Sequence, residues 1–282
     1  MQTIENKNFE SERSLYNLTN GLIKNCTFSG EEDGESALKE CREIYVKNCK
    51  FELRYPLWHT KNFSIDNCQF ADTARAPIWY CKNGKINNTK IQSIKSVREC
   101  KNIDIFNCEI SSSEFGWKTT SININDSSIE GEYLFFDSSN ININNLNQKG
   151  KYSFQYIKNL KIDNSYLDTK DAFWHSKNVV VKNSTLKGEY LAWYSQNATF
   201  INCTIIGTQP FCYCKNLKLV NCKMVDCDLA FEYSSVNADI NGSILSVKNV
   251  KSGIVKASSI KKIINENSVI KCNAKIIQDT KL

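Results

Sequence analysis

The sequence has 282 residues, of which 41% are hydrophobic and 23% are charged. This composition is ordinary for a folded globular chain and argues against intrinsic disorder. The formal net charge of +6 comes from 36 basic and 30 acidic residues, a mild excess spread along the sequence. Because no run of five or six like charges occurs, the composition gives no indication of nucleic-acid binding.

The N-terminal segment, MQTIENKNFESERSLY, contains no apolar stretch of signal-peptide length. No stretch of about 18 apolar residues occurs elsewhere, so we expect neither secretion nor insertion into a membrane. The 13 cysteines, an odd number in a chain with no signal peptide, predict reduced thiols and not a disulfide scaffold. The sequence therefore predicts a cytoplasmic protein.

Residues 1–20 precede the first repeat, and we expect them to cap one end of a solenoid, where an open strand edge must be covered. Residues 21–244 repeat a unit of 19 residues, with variants of 21 and 23 residues. The pattern weakens after Asn241, so residues 245–282 are predicted to form a C-terminal cap or a short appended element. The unit is typified by CKNIDIFNCEI, which begins at Cys100.

Within each unit, apolar and polar residues alternate with period two, which indicates a strand with one buried face. One apolar column of the repeat contains Val46, Ile65, Ile86 and Ile105. A left-handed β-helix requires a strict hexapeptide pattern, which this sequence lacks. The sequence therefore predicts an all-β fold, a right-handed single-stranded parallel β-helix (solenoid) of about twelve coils.

Asparagine and cysteine recur in columns of the repeat that have a structural explanation. Asparagine tolerates the left-handed backbone of a turn, and its amide can bond to the same amide in the next coil, which predicts an asparagine ladder. Most cysteines share columns with serine and threonine, as Cys108 does with Ser127, and are predicted to be small buried fillers. The group Cys212, Cys214, Cys222 and Cys227 has no histidine nearby, so we predict no metal site and no cofactor.

Two columns lie just before the Cys-Lys-Asn corner of each unit, and we name them the inner and the outer column. The inner column contains Lys39, Trp58, Trp79, Arg98, Trp117, Phe136, Gln155, Trp174, Trp193, Cys212 and Glu232. The outer column contains Glu40, His59, Tyr80, Glu99, Lys118, Asp137, Tyr156, His175, Tyr194, Tyr213 and Tyr233. A core column would not carry this much charge, and all five tryptophans and both histidines lie in the two columns.

Aromatic rings beside charged groups are typical of sites that bind sugars, by stacking on C–H faces and by hydrogen bonds to hydroxyls. We therefore predict carbohydrate binding or processing along this strip, with an oligosaccharide as a possible ligand. The candidate ligand-binding residues are Trp58, His59, Trp79, Arg98, Glu99, Trp117, Lys118, Trp174, Trp193 and Tyr194. One alternative is that the aromatic residues only cover the edge of the core. Another is that the protein is a non-catalytic interaction scaffold, in which the strip and the flat sides of the solenoid dock another protein or a second copy in a homo-oligomer.

Catalytic candidates cluster around one histidine of the strip. Asp137, Asp168 and Asp171 lie in the same or nearby coils as His175. Paired carboxylates would suit a glycoside hydrolase, and a base beside a carboxylate would suit a polysaccharide lyase. A list of columns demonstrates neither arrangement, so the sequence leaves open whether the protein is an enzyme.

Several long strings of the strip, among them LRYPLWHTKN, LDTKDAFWHSKN and GTQPFCYCK, resemble the bacterial family of unknown function DUF3737. The resemblance spans about residues 10–255, and it departs from the family pattern at Val250 and beyond Ser258. It implies a right-handed β-helix of the pectin-lyase-like superfamily. The family supplies no assigned reaction or catalytic residue, and function argued from fold alone is analogy.

Overall fold

The computed structural model of the chain describes residues 1–31 and 34–279. It contains two compact units, Met1–Asn142 (unit 1) and Ile143–Leu282 (unit 2). Both are built from parallel β-coils with a spacing of about 19 residues, and the chain makes about 14 turns. The predicted all-β, parallel β-helical fold is confirmed, with a number of coils close to the expected twelve.

Unit 1 consists of short strands joined by turns, with one 3-10 helix at Asp72–Ala74. Its strands are β1 (Gln2–Glu5), β2 (Asn8–Phe9), β3 (Thr19–Lys24), β4 (Thr27–Phe28), β5 (Arg42–Lys47), β6 (Lys50–Phe51), β7 (Leu57–Trp58), β8 (Lys61–Asp66), β9 (Gln69–Phe70), β10 (Ile78–Trp79), β11 (Lys82–Asn87), β12 (Lys90–Ser96), β13 (Lys101–Phe106), β14 (Glu109–Phe115) and β15 (Thr120–Glu132). β16 (Ser139–Lys151) begins in this unit and ends in unit 2.

Unit 2 repeats the same pattern of a longer strand, a second strand and a run of turns. Its strands are β17 (Lys158–Asp163), β18 (Tyr166–Lys170), β19 (Lys177–Lys182), β20 (Thr185–Lys187), β21 (Gln196–Ile201), β22 (Thr204–Ile206), β23 (Lys215–Val225), β24 (Ser235–Lys248), β25 (Ser252–Ile264) and β26 (Lys275–Gln278). In one coil, for example, β17 and β18 are followed by turns that lead into β19.

Equivalent strands of successive coils pair in parallel, so that like residues lie side by side. Val46 is opposite Ile65 and Ile65 is opposite Ile86, as the apolar column predicts. In the second strand of each coil, the stacked rings of Phe51 and Phe70 lie 4.7 Å apart. Both phenylalanines are fully buried, and burial of such a side chain contributes about 2–3 kcal/mol.

The corners between strands use asparagine in the left-handed backbone region. Asn48 has φ of 54° and Asn67 has φ of 49°. The amide of Asn67 donates a 2.8 Å hydrogen bond to Oδ1 of Asn48, and the amide of Asn48 donates a 3.1 Å bond to Asn25. In unit 2, Asn221 donates in the same way to Asn202. These bonds tie the corners at Asn48, Asn67 and Asn221 to the corners of the preceding coils.

The predicted terminal elements contain strands that continue the parallel pairing. Within residues 1–20, β1 pairs with β3 and β2 pairs with β4. Within residues 245–282, β25 pairs with β24 and with β26. Residues 280–282 of the predicted C-terminal element lie outside the described residues.

Candidate functional site

The turns at the end of each coil hold the inner and outer columns in register. In unit 1 the amide of Glu40 donates to the carbonyl of Trp58, and the amide of His59 donates to the carbonyl of Trp79. The same bond recurs from Tyr80 to Arg98. Because outer-column residues have positive φ, as in His59 with φ of 58°, their side chains project from a tight corner. Successive members of each column lie one coil apart, about 4.8 Å.

In unit 1 the inner column is a stack of rings and cations. The rings of Trp58 and Trp79 stack with centroids 5.4 Å apart. The guanidinium of Arg98 lies 5.4 Å from the ring centroid of Trp79 and 5.2 Å from that of Trp117. Lys39 lies over the outer face of Trp58 at 5.3 Å. The faces of these rings therefore contact one another or a cation, and they are not free to stack on a ligand.

In unit 2 the inner column ties each coil to the next. Nε1 of Trp174 donates to the carbonyl of Tyr190 at 2.9 Å, and Nε1 of Trp193 donates to the carbonyl of Gln209 at 2.7 Å. Nε2 of Gln155 makes the equivalent bond at 3.0 Å, to the carbonyl of a residue 16 positions later. These half-buried side chains cover the edge of the core and satisfy turn carbonyls, which is a structural role.

The outer column of unit 1 lines an open groove of about 500 Å³, named here the outer-column groove. Its lining residues are Glu40, His59, Tyr80, Glu99 and Lys118 from the outer column, with Lys61 and Lys82 from the adjacent corner. Nδ1 of His59 lies 2.8 Å from Oε1 of Glu40, and the imidazole meets the ring of Tyr80 edge-on at 5.1 Å. The groove thus presents carboxylates, ammonium groups, an imidazole and a phenol to one volume.

The cations of the outer-column groove are available to a ligand. Lys61 and Lys82 are paired in register on β8 and β11, and both are exposed. Neither they nor Lys118 forms an ion pair within the described part of the chain. The carboxylate of Glu40 contacts Nδ1 of His59, and the carboxylate of Glu99 lies 3.6 Å from Nε of Arg98. The groove therefore offers more unpaired positive than negative groups.

The outer column of unit 2 is a stack of rings, of which Tyr156, His175 and Tyr194 are exposed and Tyr213 is half-buried. His175 lies between Tyr156 and Tyr194 with ring centroids 5.1 and 5.0 Å away, and Tyr194 stacks on Tyr213 at 4.7 Å. The interplanar angles of these three pairs are 9°, 7° and 9°. Burial, followed by the charge of Glu232, raises the pKa of Tyr213 to about 12. Ring edges, and not ring faces, point to solvent along this column.

Among the described residues of unit 2, no hydrogen bond joins one catalytic candidate to another. Asp137 lies in unit 1, whereas Asp168, Asp171 and His175 lie in unit 2. Asp168 pairs with Lys187 at 2.9 Å, and burial raises the pKa of the half-buried Asp171. Among the described residues the ring nitrogens of His175 have no hydrogen-bond partner, so no carboxylate orients this imidazole as a general base.

The two insertions of the repeat border a second depression in unit 1. A volume of about 510 Å³ lies between the loop at Gly30 and Glu31 and the loop from Ala71 to Arg75. Residues 32 and 33, which follow Glu31, lie outside the described residues. This depression is lined by neither inner-column nor outer-column residues, so these loops border a volume other than the outer-column groove.

The cysteines fill buried corner positions. All 13 are free thiols, and only Cys272 is not fully buried. Burial raises the pKa of Cys214 to about 11 and that of Cys41 to about 12, so these thiols stay protonated. Within residues 1–31 and 34–279, no three histidine, cysteine or acidic side chains are grouped so that they could hold a metal ion. No helix in that part of the chain is long and apolar enough to cross a membrane.

The sequence model of family DUF3737, described as a protein of unknown function, matches residues 2–278. The chain belongs to the DUF3737 family. This extends the resemblance noted above to nearly the whole chain and includes both units. None of the curated proteins compared with this DUF3737 chain matches it.

Three solved structures are similar to this DUF3737 chain at low sequence identity. The surface adhesin PfbA of Streptococcus pneumoniae is 10% identical with a TM-score of 0.49, over 92% of this chain and 83% of the adhesin. The catalytic domain of a GH87 α-1,3-glucanase in complex with nigerose is 10% identical with a TM-score of 0.46, over 84% of this chain and 63% of that domain. The tailspike of E. coli bacteriophage HK620, in complex with a pentasaccharide, is 7% identical with a TM-score of 0.40, over 98% of this chain and 67% of the tailspike.

Sequence reasoning identified the outer column but missed the lysines beside it. Lys61 and Lys82 occupy the position two residues after the outer column, in the Cys-Lys-Asn corner. The signal was present, because lysine recurs at this position of the repeat. A sequence alone does not say which corner residues face the strip, so the recurring lysine is explained equally well as part of the corner motif.

Proposed function

We propose that this protein binds an oligosaccharide in the outer-column groove of unit 1. The observation that carries the proposal is the convergence of Glu40, His59, Tyr80, Glu99 and Lys118 on one open volume, with Lys61 and Lys82 beside them. Sugar hydroxyls both donate and accept hydrogen bonds, and this set of side chains supplies both kinds of partner along with the ring of Tyr80.

The spacing of the groove carboxylates favours binding over glycoside hydrolysis. Glu40 and Glu99 are three coils apart, which corresponds to about 14 Å between their backbone positions. The carboxyl pairs of glycoside hydrolases are about 5–9.5 Å apart. The base best oriented in the groove is His59, whose Nδ1 is held by Glu40. We therefore propose a binding site, and any processing activity would have to begin from this His59–Glu40 pair.

Calorimetric titration with oligogalacturonates, cello-oligosaccharides and malto-oligosaccharides of two to six sugars tests the proposal. We expect wild type to bind at least one of these series. Lys82→Ala and Tyr80→Ala should weaken that binding about tenfold, since each removes about 1.4 kcal/mol of contacts to the ligand. Both variants should keep the circular dichroism spectrum of wild type.

Two matched control variants come from the same unit. Lys85 is exposed on β11, three residues after Lys82, and Tyr45 is 53% exposed on β5. Neither lines the groove, so Lys85→Ala and Tyr45→Ala should bind as wild type does. Equal loss in the control and groove variants, or no binding of any series by wild type, would refute the proposed site.

We also propose that the protein acts in the bacterial cytoplasm. The free thiols, all buried except that of Cys272, support this proposal, since an oxidising compartment would expose many free cysteines to disulfide exchange during folding. Fractionation of cells that express the full-length protein, followed by immunodetection, tests it. Recovery in the medium or the membrane fraction would contradict it.

A further inference from the structure

One face of unit 2 gathers lysines that are far apart in the sequence. Six exposed lysines project from the outer side of strands β17, β19 and β23, and they are Lys158, Lys161, Lys177, Lys182, Lys215 and Lys218. Strand register brings them together, because Lys158 is opposite Lys177 and Gln196 is opposite both Lys177 and Lys215. We name this surface the basic face. Part of the basic excess that is spread along the sequence is thus gathered on one surface of this unit.

The basic face has almost no compensating charge. In the segments 158–163, 177–182, 196–201 and 215–220, all of which the structure describes, the single carboxylate is that of Asp163. Asp163 already accepts hydrogen bonds from the main chain of Asn164 and from the amide of Asn183. None of the six lysines forms an ion pair with a described residue. Six unpaired ammonium groups on a surface of four strands attract a polyanion.

The stacked rings of the outer column form one border of the basic face. His175 lies two residues before Lys177, and Tyr213 lies two residues before Lys215. Because the rings stack face to face, their edges point outwards, and the edge of an aromatic ring carries partial positive charge. The phenol of Tyr194, a residue 42% exposed, adds a hydrogen-bond donor to this border. The ring edges and the lysine ammonium groups therefore both attract the anionic oxygen atoms of a ligand.

The aromatic faces of the outer column are covered by neighbouring rings, and this distinguishes between a nucleic acid and a polysaccharide as the polyanion. Proteins that bind single-stranded nucleic acid stack bases on open aromatic faces, but the faces of His175 and Tyr194 are covered by neighbouring rings. Amide groups such as that of Asn197, which donates to Asn178, alternate with the lysines and suit a ligand that carries hydroxyls between its charges. We infer that the basic face of unit 2 binds an acidic polysaccharide, with sulfate or carboxylate groups on the lysines. This site lies in unit 2 and does not depend on the groove of unit 1.

Fluorescence anisotropy of the full-length protein with labelled dextran sulfate tests the inference, with neutral dextran as the reference probe. We expect dextran sulfate to bind and neutral dextran not to bind. The triple variant Lys158→Gln, Lys177→Gln, Lys215→Gln should bind dextran sulfate at least tenfold more weakly. The negative slope of log affinity against log salt concentration should become shallower by about two to three, because each lost lysine contact releases about 0.7–0.9 fewer counterions. These lysines are exposed, so the variant should fold as wild type does.

The matched control removes three exposed lysines of unit 2 that lie outside the basic face, Lys223, Lys261 and Lys262. Replacing these three with glutamine makes the same change in net charge, and we expect binding within twofold of wild type. A separate variant, Tyr194→Phe, keeps the stack but removes one hydroxyl, and it should weaken binding about two- to tenfold.

Four results would overturn the inference. They are an equal loss in the control triple variant, the absence of binding to dextran sulfate at low salt, unchanged binding by Tyr194→Phe, and tighter binding of poly-dT or polyphosphate than of dextran sulfate at the same salt concentration. Lys82→Ala in unit 1 should leave this binding unchanged. The outcome is therefore separable from that of the proposed groove.

Discussion

The indole nitrogen of Trp174 donates a 2.9 Å hydrogen bond to the main-chain carbonyl of Tyr190, sixteen residues later in the next coil. Trp193 makes the same bond to Gln209. In the sequence, Trp174 is a candidate for stacking on a sugar. In the structure its indole nitrogen is hydrogen-bonded to the turn of the next coil, and its ring stacks on that of Trp193, with centroids 5.4 Å apart. The relationship moves the candidate binding surface from the inner column to the outer column.

Trp174→Phe should lower the free energy of unfolding more than Trp117→Phe does. Both changes remove similar aromatic area, but only the first removes a hydrogen bond, since the buried indole nitrogen of Trp117 has no partner among the described residues. We expect the difference to be about 1–2 kcal/mol, the cost of leaving the Tyr190 carbonyl unsatisfied. Urea unfolding followed by circular dichroism measures it. Equal midpoints for the two variants would contradict the structural role of the bond.

Arg98→Lys should destabilise unit 1 although it keeps the positive charge. Only a planar guanidinium stacks on both Trp79 and Trp117 while Nη1 contacts Glu114 at 3.0 Å. We expect a loss of about 1–2 kcal/mol in the free energy of unfolding. The control is Arg42→Lys, at an exposed position on β5, which should be neutral in the same thermal unfolding experiment. If both variants unfold like wild type, the stack contributes nothing to stability.

Asn48→Ala should cost more stability than Asn48→Gly. Asn48 has φ of 54°, accepts a hydrogen bond from Asn67 and donates one to Asn25. Both variants lose these bonds, but alanine also pays about 1–2 kcal/mol for the left-handed backbone, which glycine adopts freely. Chemical denaturation of the two variants beside wild type measures the difference. Alanine as stable as glycine would show that the corner relaxes out of the left-handed conformation.

Alkaline pH should destabilise the protein through its buried thiols. Burial raises the pKa of Cys214 to about 11 from an ordinary value of 9.0. Between these values the unfolded chain loses the proton and the folded chain keeps it. The contribution is therefore fully present below pH 9 and is lost as pH rises towards 11, by up to about 2–3 kcal/mol.

The variant Cys214→Ser isolates this contribution. The same column holds Ser195 and Ser234 in adjacent coils. The main-chain amide of Cys214 donates a 2.8 Å hydrogen bond to Oγ of Ser234, which the substitution leaves in place. Serine does not titrate in this range, so wild type should lose more stability than the variant between pH 8 and pH 11. Parallel pH dependences of the two unfolding midpoints would argue against the raised pKa.

The sequence by itself determined the coil. Each coil repeats the same residue types at the same positions, so the sequence shows the period of 19 residues, the alternation of apolar residues and the corner asparagines. Parallel pairing in register places Val46 beside Ile65, as this pattern requires. It also placed the outer column correctly, because residues such as Glu40 and His59 recur at one position of the unit.

Only the tertiary structure decided which side chains contact one another and are therefore not available to a ligand. The sequence does not say that the Trp174 indole reaches the carbonyl of Tyr190, that Arg98 lies between two indoles, or that Lys158 and Lys215, 57 positions apart, share a face. Because the coils stack, residues one repeat apart in the sequence lie only about 4.8 Å apart in space. Lysines that are far apart in the sequence therefore lie together on the basic face. Aromatic rings that the sequence offers as ligand-binding candidates have their faces covered by neighbouring side chains.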